Sequence, residues 1–279
     1  QYQQVTLIGH SMGGLVIADY LSLPETQAHA EKHVKRAITL GTPFRGAMEA
    51  LLALANPNDP KFSVIAKTNA GNNAHQMLLT FPGIYQLLPA PNGLYPNWNP
   101  VPELDIYAPA IWETIGVPIS HTHLAAARQH HELYATADPQ VPMHCVIGTF
   151  YETPALILGK MLNMVPQKAG SDAGEGDGTV EVASAVFNNR PAYFLQEQHI
   201  ELVLDQDVIE AVLTWAEGGQ PTTLVRSIGA VAKTDKPLRT GASGPVSRSR
   251  VTQKISTDTA LTNAEIKALM GFSTLRTEE

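Results

Sequence analysis

Residues 7–16 read LIGHSMGGLV. An apolar run ends at Gly9, a serine sits among glycines, and apolar residues resume. Val5 to Ile8 is a short β-favouring run, and Leu15 to Leu23 has helical length, closing before Pro24. Gly9-His10-Ser11-Met12-Gly13 therefore fits G-x-S-x-G between a strand and a helix, the context that gives this pentapeptide meaning. The chemistry needs such a turn. A serine on a strained strand-to-helix bend exposes its hydroxyl at the top of a sheet. Residues two before and two after then face neighbouring backbone, where glycine-sized groups fit. The helix start favours negative charge, and the Met12 N–H becomes a candidate oxyanion donor.

Working outward, Val34–Leu40 (VKRAITL) is a second strand candidate, stopped by Gly41-Thr42-Pro43. Strand, turn, helix, strand is a βαβ unit and implies a parallel sheet covered by helices. Residues 1–46 thus read as the first part of an α/β core. Residues 47–140 break the alternation, with helical patches around Met48–Ala55 and Ala74–Leu79 and a Pro/Asn-rich segment from Pro82 to Pro102. They read as a largely helical cap. Its apolar residues (Met77, Leu78, Leu79, Phe81, Ile84, Tyr85, Leu87, Leu88) suit either packing on the sheet or a greasy acyl chain. Residues 141–220 resume the core: a third strand at Val141–Thr149, a Gly/Asp-rich loop at Gln167–Gly178, and a fourth strand at Ala192–Leu195. A last helix spans Asp205–Trp215 with Asp205 as N-cap. Residues 221–279, rich in Ser, Thr, Gly and Pro, read as a flexible extension with a short helix at Asn263–Met270.

A serine nucleophile needs a base, and the base an orienting acid, in the chain order Ser, acid, His. Asp177 follows the third strand in Gly176-Asp177-Gly178-Thr179-Val180, with Asp172 and Glu175 as rivals in the same loop. His199 follows the fourth strand in Gln198-His199-Ile200. His10 lies on the elbow itself, where its ring supports the loop rather than reaching the hydroxyl. His121, His123, His130 and His131 cluster in the cap, and solvated histidines on cap helices are the expectation rather than a metal site. The chemistry needs no metal or cofactor.

Composition narrows the alternatives. The net charge of the 279 residues is −7. Before Pro221 there are ten Lys/Arg against 21 Asp/Glu, and from Pro221 onward nine against five. An acidic body carries no nucleic-acid footprint. No apolar run approaches the ~18 residues of a membrane helix, and no signal-peptide pattern is visible. The single cysteine, Cys145, excludes an internal disulfide and is consistent with a cytosolic protein.

GHSMGG around Ser11, LGTPFRG at 40–46, FPGIYQLLP at 81–89, VIGT at 146–149, GDGTV at 176–180 and QHIEL at 198–202 resemble, in order, the lecithin:cholesterol acyltransferase family of α/β-hydrolases. The resemblance covers about residues 4–217. It implies that Ser11 is the nucleophile, Asp177 the acid and His199 the base. It also implies an acyl-serine intermediate from an ester lipid, passed to water or to an alcohol such as a sterol. The residues themselves leave two other readings open, an esterase for smaller acyl groups and a non-catalytic binding domain. Transient membrane-surface contact through the cap goes with the lipid reading.

Proteins of this fold carry further strands before the elbow and draw the second oxyanion donor from a loop there. Only six residues precede Leu7. The expectation is a fold truncated at its N-terminus, with a second donor and further domains upstream or downstream in the same polypeptide, and an unpaired apolar sheet edge.

Overall fold

The computed structural model describes residues 4–56, 73–158, 165–168 and 176–231. Asp172, Glu175 and the helix expected at Asn263–Met270 lie outside them. The described residues divide between two compact units. The larger runs to Leu52 and resumes at Pro82; the smaller includes residues 53–56 and 73–81.

In the larger unit four strands form a parallel sheet in the order β1 (Val5–His10), β2 (Val34–Leu40), β3 (Met143–Gly148), β6 (Ala192–Leu195). Ile8 pairs with Ile38, Ile38 with His144, and Val146 with Tyr193. β4 (Pro154–Leu158) and β5 (Val165–Lys168) make a separate antiparallel pair, most of it in a stretch to which the sequence reading assigns no element. Its second strand falls at the start of the Gly/Asp-rich stretch.

β3 shows why a parallel sheet reads as continuous apolar sequence. Met143, Cys145 and Ile147 bury to one side. Val146, from the alternate positions, packs on the other with Ile38, Leu40 and Tyr193. The first side is covered by α1 (Met12–Ser22) through Leu15, Ala18 and Leu21, and by Tyr134 of α7 (His121–Thr136). The second is covered by α9 (Gln206–Glu217) through Val208, Ala211 and the fully buried Trp215. Burying each large apolar side chain contributes about 1.5–3 kcal/mol. β1 is an edge strand, with Val5 and Ile8 about half exposed.

Local signals set the boundaries. Leu23 precedes Pro24 and is extended, so α1 stops there. Pro24 then opens α2 (Pro24–His33), where its fixed φ suits a first helical position. Asp205 caps α9 by accepting from the N–H groups of Asp207 and Val208, and Gly218 ends it in the left-handed region. The sequence resolves neither α2, largely polar and continuing directly from α1, nor α7.

Between β2 and β3 the described elements are helices. α3 (Met48–Ala55) leads out of the larger unit, α4 (Ala74–Leu78) lies in the smaller, and α5 (Pro82–Gln86), α6 (Pro109–Thr114) and α7 lie in the larger. α8 (Val182–Ala185) follows the acid turn. The apolar residues of 77–88 part company. Tyr85 and Leu88 are fully buried, whereas Met77 and Phe81 in the smaller unit are more than half exposed.

The reading of the α7 histidines as solvated holds for the exposed His121 and needs correction for His130 and His131. His131 is buried and its Nε2–H donates to Leu88 O; His130 sits 3.3 Å from Asp19 Oδ1. His121 approaches Glu113, and the His123 ring meets Tyr85. Each finds a different partner because successive helical residues point in different directions. The extension from residue 221 also needs correction at its start. Leu224 is buried, Phe194 N–H donates to Val225 O, and the Arg226 guanidinium lies over the Tyr193 ring. Leu224–Arg226 thus lie against β6, joined to it by a single bridge at Val225.

Burial pushes the His131 imidazole down to about 3 from its ordinary 6.5. The unfolded chain therefore takes up a proton there first, and stability is lost as pH falls below 6.5. Chemical unfolding at pH 7 and pH 5 is expected to differ by about 2 kcal/mol from this residue alone. His131→Gln, which keeps a donor for Leu88 O, is expected to remove that part of the acid sensitivity.

Candidate active site

Ser11 is the residue between β1 and α1, with φ 54° and ψ −128°. A non-glycine residue holds such a conformation only when its surroundings impose it. Its N–H donates to Leu40 O on β2, and its carbonyl accepts from Gly14 N–H. Beneath it, a Cβ on Gly9 would lie 2.7 Å from the Gly13 carbonyl.

The expectation that Gly13 is equally crowded is not met. A Cβ there meets no atom within 4 Å. The second obligatory glycine is Gly14, whose Cβ would run into the Thr42 side chain. One helical position separates them: Gly14 faces the loop after β2, and Gly13 faces outward.

Asp177 and His199 arrive at the same point. His199 Nε2 is 2.9 Å from Ser11 Oγ, and His199 Nδ1 is 2.7 Å from Asp177 Oδ2. A carboxylate only accepts, so Nδ1 carries the proton and Nε2 is free to accept from the serine hydroxyl. The other carboxylate oxygen, Oδ1, accepts from Thr179 N–H at 3.0 Å and Val180 N–H at 2.7 Å. Gly178, at φ +89°, folds the chain back so that both amides reach it. Asp177 is 2 % exposed and His199 8 %.

The surrounding loops hold residues that sequence reasoning passes over. Gly41 has φ +56°, and a Cβ there would lie 2.9 Å from Asp177 Oδ2 and 3.0 Å from His199 Nδ1. A Cβ on Gly148, at the end of β3, would collide with Glu197 O and come within 2.7 Å of Asp177 Cβ. Buried Thr153 accepts from Gly178 N–H and donates to Tyr151 O, bracing the acid turn. Gly41 and Gly148 lie within LGTPFRG and VIGT, so those motifs were visible while their reason was not. Thr153 has no sequence signal, being 24 residues from the aspartate it supports. His10 Nε2–H donates to His199 O at 2.8 Å. A cavity of about 300 Å³ elsewhere in the larger unit, lined by Asn92, Asp105, Tyr107 and Arg128, includes none of these residues.

The arrangement is a parallel α/β sheet with a Ser–His–Asp hydrogen-bonded chain on the loops at the C-terminal ends of its strands, where open α/β sheets place their sites. The family model for lecithin:cholesterol acyltransferase matches residues 1–102. The chain is 22% identical over 275 residues to lecithin-cholesterol acyltransferase-like 4 of Arabidopsis thaliana, covering 78% of this chain and 50% of that protein. It is 27% identical over 217 residues to the lysosomal phospholipase A and acyltransferase of Homo sapiens, covering 71% and 50%. It is 30% identical over 113 residues to phospholipase A(1) LCAT3 of Arabidopsis thaliana, covering 38% and 23%. The chain is thus similar to this family over residues 1–102, and it spans about half the length of the first of these relatives.

The two glycine environments give a paired expectation. Gly41→Ala forces a side chain onto the Asp177–His199 contact at a left-handed residue. It is expected to cost about 1–3 kcal/mol and to displace the pair. Gly13→Ala, pointing into open space, is expected to stay within about 0.5 kcal/mol of wild type. Urea midpoints compare the two directly.

Proposed function

We propose that this chain carries the catalytic triad of a serine acyl hydrolase or O-acyltransferase acting on an ester lipid. The observation that carries the reading is the unbroken contact from Ser11 Oγ through the His199 ring to Asp177, built on a positive-φ serine at a helix start. His199 Nε2 takes the hydroxyl proton as Ser11 Oγ attacks the ester carbonyl carbon. The carbonyl π electrons move to oxygen, and the Met12 N–H, at the first turn of α1, is the donor this reading assigns to that developing charge. On collapse the ester C–O bond breaks, and the leaving alkoxide takes the proton from His199 Nε2. Asp177 keeps Nδ1 protonated and balances the imidazolium that forms between the two transfers. Water or an alcohol then gives its proton to Nε2 and attacks the acyl-serine. Ser11 leaves, recovers the proton, and a fatty acid or a new ester departs.

Two observations support a lipid donor. The relatives carry the names of phospholipases and acyltransferases. Met12, beside the nucleophile, is 47% exposed, and Val203 and Leu204, shortly after His199, are exposed apolar residues on the same unit. In the smaller unit the exposed Met77 and Phe81 suit contact with a lipid surface. No helix among the described residues is long and apolar enough to cross a membrane.

A fluorophosphonate probe is expected to modify Ser11, identified by peptide mass. Ser11→Ala should abolish this, and His199→Gln should slow it by several orders of magnitude, in line with the ~10⁶-fold losses seen when such a pair is broken. Labelling no faster than an ordinary surface serine would overturn the proposal. On phosphatidylcholine vesicles, fatty acid release is the hydrolase outcome. Ester formation with an added long-chain alcohol, at the expense of free acid, is the transferase outcome.

A further inference from the structure

We propose that His10, the residue before the serine, is a positioning residue that holds the base in line by gripping its backbone. The inference rests on the triad reading above.

The geometry creates a need for such a grip. β1 and β6 are opposite edges of the four-stranded sheet, with β2 and β3 between them. Ser11 follows the first edge, and His199 follows the other. Their 2.9 Å contact therefore spans the sheet, and small shifts of the loop after β6 act on it directly.

His10 ends β1 and reaches across that distance. Its Nε2 lies 2.8 Å from the carbonyl oxygen of His199. A carbonyl only accepts, so Nε2 carries the proton and the neutral ring has Nδ1 bare. The two imidazole rings lie against each other, centroids 4.8 Å apart and tilted by 40°. Half-burial, the largest influence, moves the His10 imidazole below its ordinary range. A neutral rather than cationic ring therefore lies beside the base.

His199 is then held at four points. Its N–H donates to Asp177 O at 2.9 Å, its carbonyl accepts from His10, Nδ1–H donates to Asp177 Oδ2, and Nε2 faces Ser11 Oγ. Asp177 supplies two of these from the acid side. His10 supplies the one that ties the base loop to the strand carrying the nucleophile. A displacement of about 1 Å at a reacting group costs on the order of 100-fold in rate, so this tie has a kinetic consequence without His10 touching substrate.

The test compares His10→Phe, which keeps ring bulk and loses the donor, with His10→Gln, which keeps a side-chain N–H. Fluorophosphonate labelling rates at Ser11 are measured together with kcat and KM on a chromogenic ester. His10→Phe is expected to lower labelling and kcat by about 10- to 100-fold with KM within about twofold, and His10→Gln to recover most of the loss. The low-field proton NMR signal of the His199 Nδ1–H is expected to shift or vanish in the first variant and persist in the second. Equal rates in wild type and His10→Phe would overturn the proposal, as would His10→Gln falling as far as His10→Phe. If wild type itself fails to label at Ser11, the triad reading fails and takes this one with it. Normal wild-type labelling with an indifferent His10→Phe removes the positioning role alone. Should His10→Phe not fold, His10→Asn, whose shorter side chain falls short of the carbonyl, takes its place under the same criteria.

Discussion

The Asp177 carboxylate is the constraint around which the site is built. It is buried, and both oxygens are engaged: Oδ1 by the amides of Thr179 and Val180, Oδ2 by the His199 ring. Hydrogen bonds to a charged group contribute about 1.5–3 kcal/mol each. Without the carboxylate, two backbone donors and a ring N–H would be left facing an apolar surround. The carboxylate thus fixes the conformation of its own loop and the tautomer of the histidine with one set of bonds. The Asp-Gly turn is the device that does this. Gly178 bends the chain so that the following amides return to the aspartate.

Space matters as much as bonding. The carboxylate and the imidazole approach the loop after β2 so closely that Gly41 leaves no room for a β-carbon, and Gly148 plays the same part at the end of β3. Gly9 and Gly14 let the serine turn pack against its own helix and against Thr42. Four glycines, from β1, α1, the loop after β2 and the end of β3, therefore serve a single cluster of side chains. The parallel sheet brings them together because its strand ends all open on one side. Apolar packing on both faces then holds the strand ends in register.

The α7 helix ties this platform to the segment inserted after β2. Its Tyr134 packs among the α1 and β3 side chains and its hydroxyl donates to Leu15 O on the serine-bearing helix. His131, on the same helix, donates to Leu88 O. The α7 helix, and Leu88 through it, are thereby part of the layer on the sheet. Their buried polar groups are satisfied mainly by carbonyls, and keeping His131 neutral makes that layer sensitive to acid.

The sequence by itself determined the four sheet strands to within a few residues, the helix after Ser11, the Asp205 cap, and the order serine, acid, histidine. These are local signals: apolar runs, turn glycines and caps act within a few residues of themselves. α2 and α7 were not separated because their apolar faces are short and broken by polar residues. The β4–β5 pair was left unassigned, apart from Gln167 and Lys168 at the start of the Gly/Asp-rich stretch. Only the tertiary structure decided which glycines matter and why. Gly14 rather than Gly13 is crowded because a helix turns 100° per residue and brings one of them under Thr42. Gly41 and Gly148 face Asp177 from 136 and 29 positions away in the chain, and Thr153 braces its turn. His10 meets the backbone of a residue from the far edge of the sheet. Contacts of that kind leave no periodicity behind, since they arise from strand order and crest geometry, which no stretch of sequence carries alone.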